Sequence, residues 1–171
     1  MSPQEARDAA LPRGQSVVPS IAQVHFDGAC DPPRGGGVAT YGFVVEGPGL
    51  RYEEGGLAVA PWAPTATNNV AEYTAAIRGL EWLLDHHYTG VVLLVGDSQL
   101  VIRQLTGEYE VRAAHLREYH NRLRQLMGRF HEVRPVWVPR EENQRADQLS
   151  KVALADAAPL ARRLKFGPAD S

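Results

Sequence analysis

Between residues 21 and 27, apolar Val24 and Phe26 alternate with polar Gln23 and His25, and Asp27 closes the run. A period of two predicts a strand with one buried face. After a loop rich in glycine and proline over 28–37, residues 38–46 and 50–59 read as two more strands joined by Gly47-Pro48-Gly49. Three sequential antiparallel strands are the simplest arrangement. The period then lengthens. Thr67 or Asn68 suits a helix N-cap, and Val70, Tyr73, Ile77, Leu80 and Leu84 recur at spacings of three and four. Residues 85–90 end that helix. The run 91–95 is apolar throughout and stops at Gly96, which predicts a strand covered on both faces. Its place after a helix predicts a crossover, hence a parallel partner. Amphipathic helices follow over about 98–105 and 113–128, the second with the stripe Leu116, Tyr119, Leu123 and Met127. Residues 133–138 make a fifth strand, Pro139 breaks it, and 143–157 reads as a closing helix with Leu149, Val152 and Ala153. The order is βββαβααβα, without an internal repeat.

Residues 1–20 carry Pro3, Pro12, Gly14 and Pro19 and no apolar period, so they read as a flexible extension of a single domain over 21–157. Residues 158–171, with Pro159, Gly167 and Pro168, read as a second flexible tail. A length of 171 residues with 44% hydrophobic and 22% charged positions fits one ordinary core and excludes disordered, collagen-like and coiled-coil chains. Basic residues number 18 against 20 acidic, and 13 against 16 over 21–155. Indiscriminate binding of nucleic acid through bulk positive charge is therefore excluded, and any such contact must be local or metal-assisted. No apolar run approaches the roughly 20 residues of a membrane span, and residues 1–13 hold no apolar export segment. The lone Cys30 excludes an internal disulfide or a thiolate zinc cluster, and a cytoplasmic location is the expectation.

Four acids stand in unusual places: Asp27 and Asp97 end predicted strands, while Glu72 and Asp147 lie in the first turns of predicted helices. Singly, each has a plainer reading as a turn residue, an N-cap or a partner of the helix dipole. If strands 1 and 4 are parallel neighbours, their C-terminal ends lie side by side, where open α/β sheets bind ligands. Carboxylates gathered there repel one another, and divalent cations, which prefer oxygen ligands, relieve the repulsion. Magnesium or manganese is the natural counter-ion. Gly35-Gly36-Gly37 lacks the lysine and the serine or threonine of a P-loop, and Ser98 has no identifiable base, so phosphate-loop and serine-nucleophile chemistries are weak.

The segments Asp27-Gly28-Ala29-Cys30, Thr67-Asn68-Asn69-Val70-Ala71-Glu72, Asp97-Ser98-Gln99-Leu100-Val101 and Asn143-Gln144-Arg145-Ala146-Asp147-Gln148-Leu149 together resemble the four signature segments of type 1 ribonuclease H. The resemblance spans about 21–155 in the family's order and spacing. It implies an α/β, ribonuclease H-like fold with a five-stranded mixed sheet. It also implies an endoribonuclease that cuts the RNA strand of RNA/DNA hybrids with two Mg2+ ions, Mn2+ being a substitute, and leaves 5′-phosphate and 3′-hydroxyl ends. By position, Asp27 would bridge both ions, Glu72 and Asp97 would complete one site, and Asp147 the other. Substrate contacts would come from Gly28, the backbone of Cys30, Thr67, the amides of Asn68, Asn69 and Gln99, Arg140 and Asn143. No obligate protein partner is implied, and a monomer is the default.

Two departures qualify this. Many bacterial relatives carry a histidine in the loop before the last aspartate, where this chain reads Pro139-Arg140-Glu141-Glu142. Arg140 is the best substitute, although a guanidinium stays protonated and cannot shuttle protons. The basic insertion that some relatives carry is also missing; Arg112, Arg117, Arg122, Arg124 and Arg129 are the set that would compensate in part. The alternative reading is a weakly active or inactive hybrid-binding module of the same fold.

Overall fold

The computed structural model describes residues 20–166. Strands β1 (Ile21–Asp31), β2 (Val38–Gly47) and β3 (Leu50–Leu57) precede helix α1 (Asn68–Asp85), strand β4 (Val91–Gly96), helices α2 (Gln99–Thr106) and α3 (Ala114–Met127), and strand β5 (Glu132–Trp137). A 3-10 turn (Arg140–Glu142) leads into the closing helix α4 (Gln144–Phe166). One sheet runs in the order β3-β2-β1-β4-β5, with β1, β2 and β3 antiparallel and β1, β4 and β5 parallel. The α/β class, the mixed sheet and the element order are those expected from the periodicity.

The period of two sorts the faces of the sheet. Ala22, Val24 and Phe26 of β1 and Val92 and Leu94 of β4 are fully buried in a core with Val70, Tyr73, Leu80 and Leu83 of α1 and Leu123 and Leu126 of α3. The alternate residues face α4, which lies across β1, β2 and β3. That helix sits unusually low on the sheet. A Cβ on Gly42 would stand 2.5 Å from the Ala146 carbonyl and 2.6 Å from the Ser150 amide, and one on Gly55 would stand 2.8 Å from the Leu149 carbonyl. Thr40 completes the seat, its buried hydroxyl donating to the Ser150 carbonyl at 2.7 Å.

Two boundaries differ from expectation. Strand β1 does not stop at Asp27: residues 28–31 stay paired with β2 as far as Asp31 opposite Val38, whereas pairing with β4 stops at His25 opposite Val95. Asp27 therefore lies mid-strand yet just past the end of the parallel ladder. The closing helix, expected to end near Ala157, runs through Pro159 to Phe166, so residues 158–166 are no loose tail. An interior proline costs a helix about 3 kcal/mol, and tertiary contacts offset it. Ala161 is buried, its carbonyl accepts from the Trp62 indole N–H at 3.0 Å, and the Lys165 ammonium lies 4.3 Å over the Trp62 ring. The expected extension over 1–19 and the end of the tail, 167–171, lie outside the described residues.

The glycine seat gives a direct expectation. Gly42→Ala should lower unfolding free energy by about 1–3 kcal/mol, the usual range for forced overpacking, read from the denaturation midpoint. An unchanged midpoint would show that α4 can ride higher on the sheet.

Candidate active site

The parallel register of β1 and β4 decides which acids meet. Two residues beyond the last pair, His25 with Val95, come Asp27 and Asp97, abreast and on one face. Glu72 arrives from the first turns of α1, which close tightly on β1: a Cβ on Gly28 would stand 2.7 Å from both the Ala71 Cβ and the Glu72 amide nitrogen. Thr67 sets that helix start, its hydroxyl accepting from the Val70 N–H at 3.2 Å. Asp147 arrives from α4. Its carboxyl contributes to the rise at Asp27, and its Oδ2 holds the Lys151 ammonium at 2.8 Å.

The acids feel one another's charge. Asp27, only 6% exposed, has its carboxyl pushed up to about 8 by burial first and then by the Asp97 charge, with Glu72 and Asp147 adding to the rise. Only the Gly28 N–H, donating to Oδ1 at 2.9 Å, works against this. Glu72, 5% exposed, is pushed up to about 7, chiefly by burial and then by Asp97. The Ser98 hydroxyl and the Asn68 amide, donating to Oε1 at 2.8 Å, pull the other way. Asp97 is raised by burial and by Asp147, and lowered by the Arg140 guanidinium and the Asn143 amide.

Among the expected substrate contacts, Asn68, Asn69 and Gly28 are half-buried around the notch and Gln99 is exposed beside it. Arg140 is exposed, with its charge acting on both Glu72 and Asp97. Thr67 is engaged as a cap. The Cys30 thiol lies against the Pro32 and Ala66 carbonyls at 3.2 and 3.3 Å. Asn143 does not fit the expectation: it is 1% exposed and its amide donates to the Phe26 carbonyl at 2.9 Å, which leaves no surface for a substrate. Of the five arginines on and around α3, Arg117 and Arg124 bond the Val111 and Leu105 carbonyls at 2.9 Å, and Arg122 pairs with Glu81 at 3.8 Å. Two site residues escaped the sequence reading. Ser98, set aside above as a nucleophile, caps α2 by accepting from the Val101 N–H at 3.2 Å, and its hydroxyl also lowers the Glu72 carboxyl. Lys151 was detectable from its position four residues after Asp147.

The family described as reverse transcriptase-like matches residues 35–153. Ribonuclease HI of Halobacterium salinarum is 42% identical over 135 residues, 78% of this chain and 64% of the relative. The crystal structure of RNase H1 from that archaeon is 39% identical and superposes with a TM-score of 0.69, covering 80% of this chain and 99% of the other. The chain belongs to the type 1 ribonuclease H family. Another member, LC11-RNase H1, solved in complex with an RNA/DNA hybrid, is 31% identical with a TM-score of 0.69 over 80% of this chain and 99% of its own. The chain spans about two thirds of the length of the Halobacterium protein and a quarter of that of its mycobacterial curated relatives.

Ribonucleases H act with divalent cations, and the donor set here fits such ions. Among the described residues no three His, Cys, Asp or Glu side chains stand at ligand spacing. Yet Glu72 Oε2 and Asp97 Oδ2 are buried with no hydrogen-bond partner among the described residues. Buried carboxylate oxygens without donors are costly unless a cation takes them. Hard oxygen ligands suit Mg2+ or Mn2+.

The sign of the linkage follows. Folded-state values of about 8 for Asp27 and about 7 for Glu72 exceed the ordinary 3.8 and 4.5, so the folded protein binds the extra protons. Their contribution is complete below about pH 4 and is lost as pH rises towards about 8. In chelator the melting temperature should therefore fall across that window, with a shallower fall in Asp27→Asn and in wild type supplied with Mg2+. Equal slopes for wild type and Asp27→Asn would contradict the burial of this charge.

Proposed function

We propose that the chain is a divalent-metal-dependent endoribonuclease that hydrolyses the RNA strand of RNA/DNA hybrids and leaves 5′-phosphate and 3′-hydroxyl ends. The observation that carries this reading is the gathering of Asp27, Glu72, Asp97 and Asp147 into one notch with unpartnered carboxylate oxygens. Family membership and the hybrid held by LC11-RNase H1 support the substrate.

Asp27 would hold both of two cations, Glu72 and Asp97 would complete one site, and Asp147 the other. Bound there, the pair supplies a water activated for attack on phosphorus and positive charge for the leaving 3′ oxygen. No protein nucleophile is needed. The chain's own contribution is recognition and order. The amides of Asn68, Asn69 and Gln99 can donate to and accept from 2′-hydroxyls and base edges of the shallow minor groove, which tells RNA from DNA. Asn68 already donates to Glu72, so contact with RNA and placement of a ligand are linked in one side chain. Arg140, exposed above Glu72 and Asp97, holds a phosphate without exchanging protons. The reading requires no obligate partner and takes a monomer as the acting form.

Labelled hybrid, duplex DNA and duplex RNA, incubated with Mg2+, Mn2+ or chelator, test this together. Cleavage confined to the hybrid and dependent on metal is expected. Asp97→Asn should lower it by about 100-fold or more, the scale of several kcal/mol of lost charge stabilisation, with hybrid binding retained. Arg140→Ala should slow turnover more than it lowers the melting temperature. Intact hybrid binding without cleavage in any metal would instead identify a binding module, and cleavage of duplex DNA would overturn the substrate assignment.

A further inference from the structure

We propose that Asn143 is a positioning residue for the cation site, tying together the mounts of two of its four carboxylates, Asp27 and Asp147. This inference rests on the reading of Asp27, Glu72, Asp97 and Asp147 as that site. Two hydrogen bonds carry it. The side-chain amide donates to the carbonyl of Phe26, the residue preceding Asp27, at 2.9 Å. Phe26 is the first residue beyond the last β1–β4 pair, so this bond takes over where the parallel ladder ends. The Asn143 amide also acts on the Asp97 carboxyl, opposing the rise that burial causes there. Finally, the Asn143 carbonyl accepts from the backbone N–H of Asp147 at 3.2 Å, fixing the turn that presents the fourth acid.

Burial argues that the link is specific. Asn143 is 1% exposed, and its amide oxygen has no hydrogen-bond partner of good geometry, although the His25 ring lies close by. Leaving such an oxygen unpaired costs roughly 1–3 kcal/mol. Packing alone would favour an apolar residue here. An amide is the group that can donate to a strand carbonyl and meet a carboxylate without bringing a charge into the notch. Partners of this kind orient metal ligands, and removing them typically weakens metal binding by about 10–100-fold.

The test uses the full chain. Mn2+ is titrated calorimetrically without nucleic acid into wild type, Asn143→Ala and Asp97→Asn, and hybrid binding is measured separately in chelator. The expected result is Mn2+ affinity about 10–100-fold weaker in Asn143→Ala, unchanged hybrid binding in chelator, and a cleavage defect seen as a higher Mg2+ requirement rather than a higher KM for hybrid. A lower melting temperature with unchanged Mn2+ affinity would overturn the proposal in favour of mere packing. Weaker hybrid binding with unchanged Mn2+ affinity would overturn it in favour of a substrate contact. Wild type that takes up no Mn2+ would overturn the cation site itself, and the inference with it. Should Asn143→Ala fail to fold, the side-chain amide resonances of Asn143 in wild type decide. Slow hydrogen exchange and a shift on adding Mg2+ without hybrid support the link, and absence of either overturns it.

Discussion

Buried carboxylates that feel one another's charge repel, and every feature of this site answers to that repulsion. Burial raises Asp27 and Glu72 and strengthens their mutual repulsion. The chain supplies partial relief from the Gly28 N–H, the Asn68 amide, the Ser98 hydroxyl, the Lys151 ammonium and the Arg140 guanidinium. Relief stops short of completion at Glu72 Oε2 and Asp97 Oδ2. A protein chosen for stability alone would place an arginine or an apolar side chain there. Under the proposed function, that incomplete neutralisation is what would give divalent cations their affinity here.

The scaffold holds the acids against this repulsion by rigid means. Asp27 and Asp97 are set abreast by a parallel ladder whose hydrogen bonds fix the register. Glu72 is drawn in because Gly28 lets α1 close on β1, and Asp147 because Gly42 and Gly55 let α4 sit on the sheet backbone. Three glycines thus act at a distance on the site: each is a missing side chain that would otherwise separate the elements carrying the acids. The closing helix is held at its far end too, where Trp62 grips the Ala161 carbonyl.

Much of this was legible in the sequence. Period-two and 3.6 patterns, with the continuous apolar run 91–95, located the five strands and four α-helices, and Thr67 announced its helix through cap chemistry. The four acids stood out because each closed an apolar strand or opened a helix. What escaped depended on partners distant in sequence. Strand β1 outruns Asp27 because β2 continues to pair with it after β4 has stopped, which no local pattern reveals. Pro159, with Gly167 and Pro168 after it, reads as a tail until Trp62, almost a hundred residues earlier, is seen against Ala161. Asn143, at the start of the closing helix, reads as a groove contact by resemblance; only the fold shows it buried against the Phe26 carbonyl.

The central claim is that the four carboxylates form a divalent-cation site. Its most direct test is the Mn2+ anomalous difference map of crystals of the full chain grown with RNA/DNA hybrid and Mn2+, using Asp97→Asn to hold the substrate uncut alongside wild type with product. The account predicts anomalous peaks within about 2.0–2.5 Å of carboxylate oxygens from Asp27, Glu72, Asp97 and Asp147 in wild type, with occupancy falling on the Glu72 side in the variant. Saturating Mn2+ that leaves this notch empty, or that collects at other residues while cleavage proceeds, would contradict it.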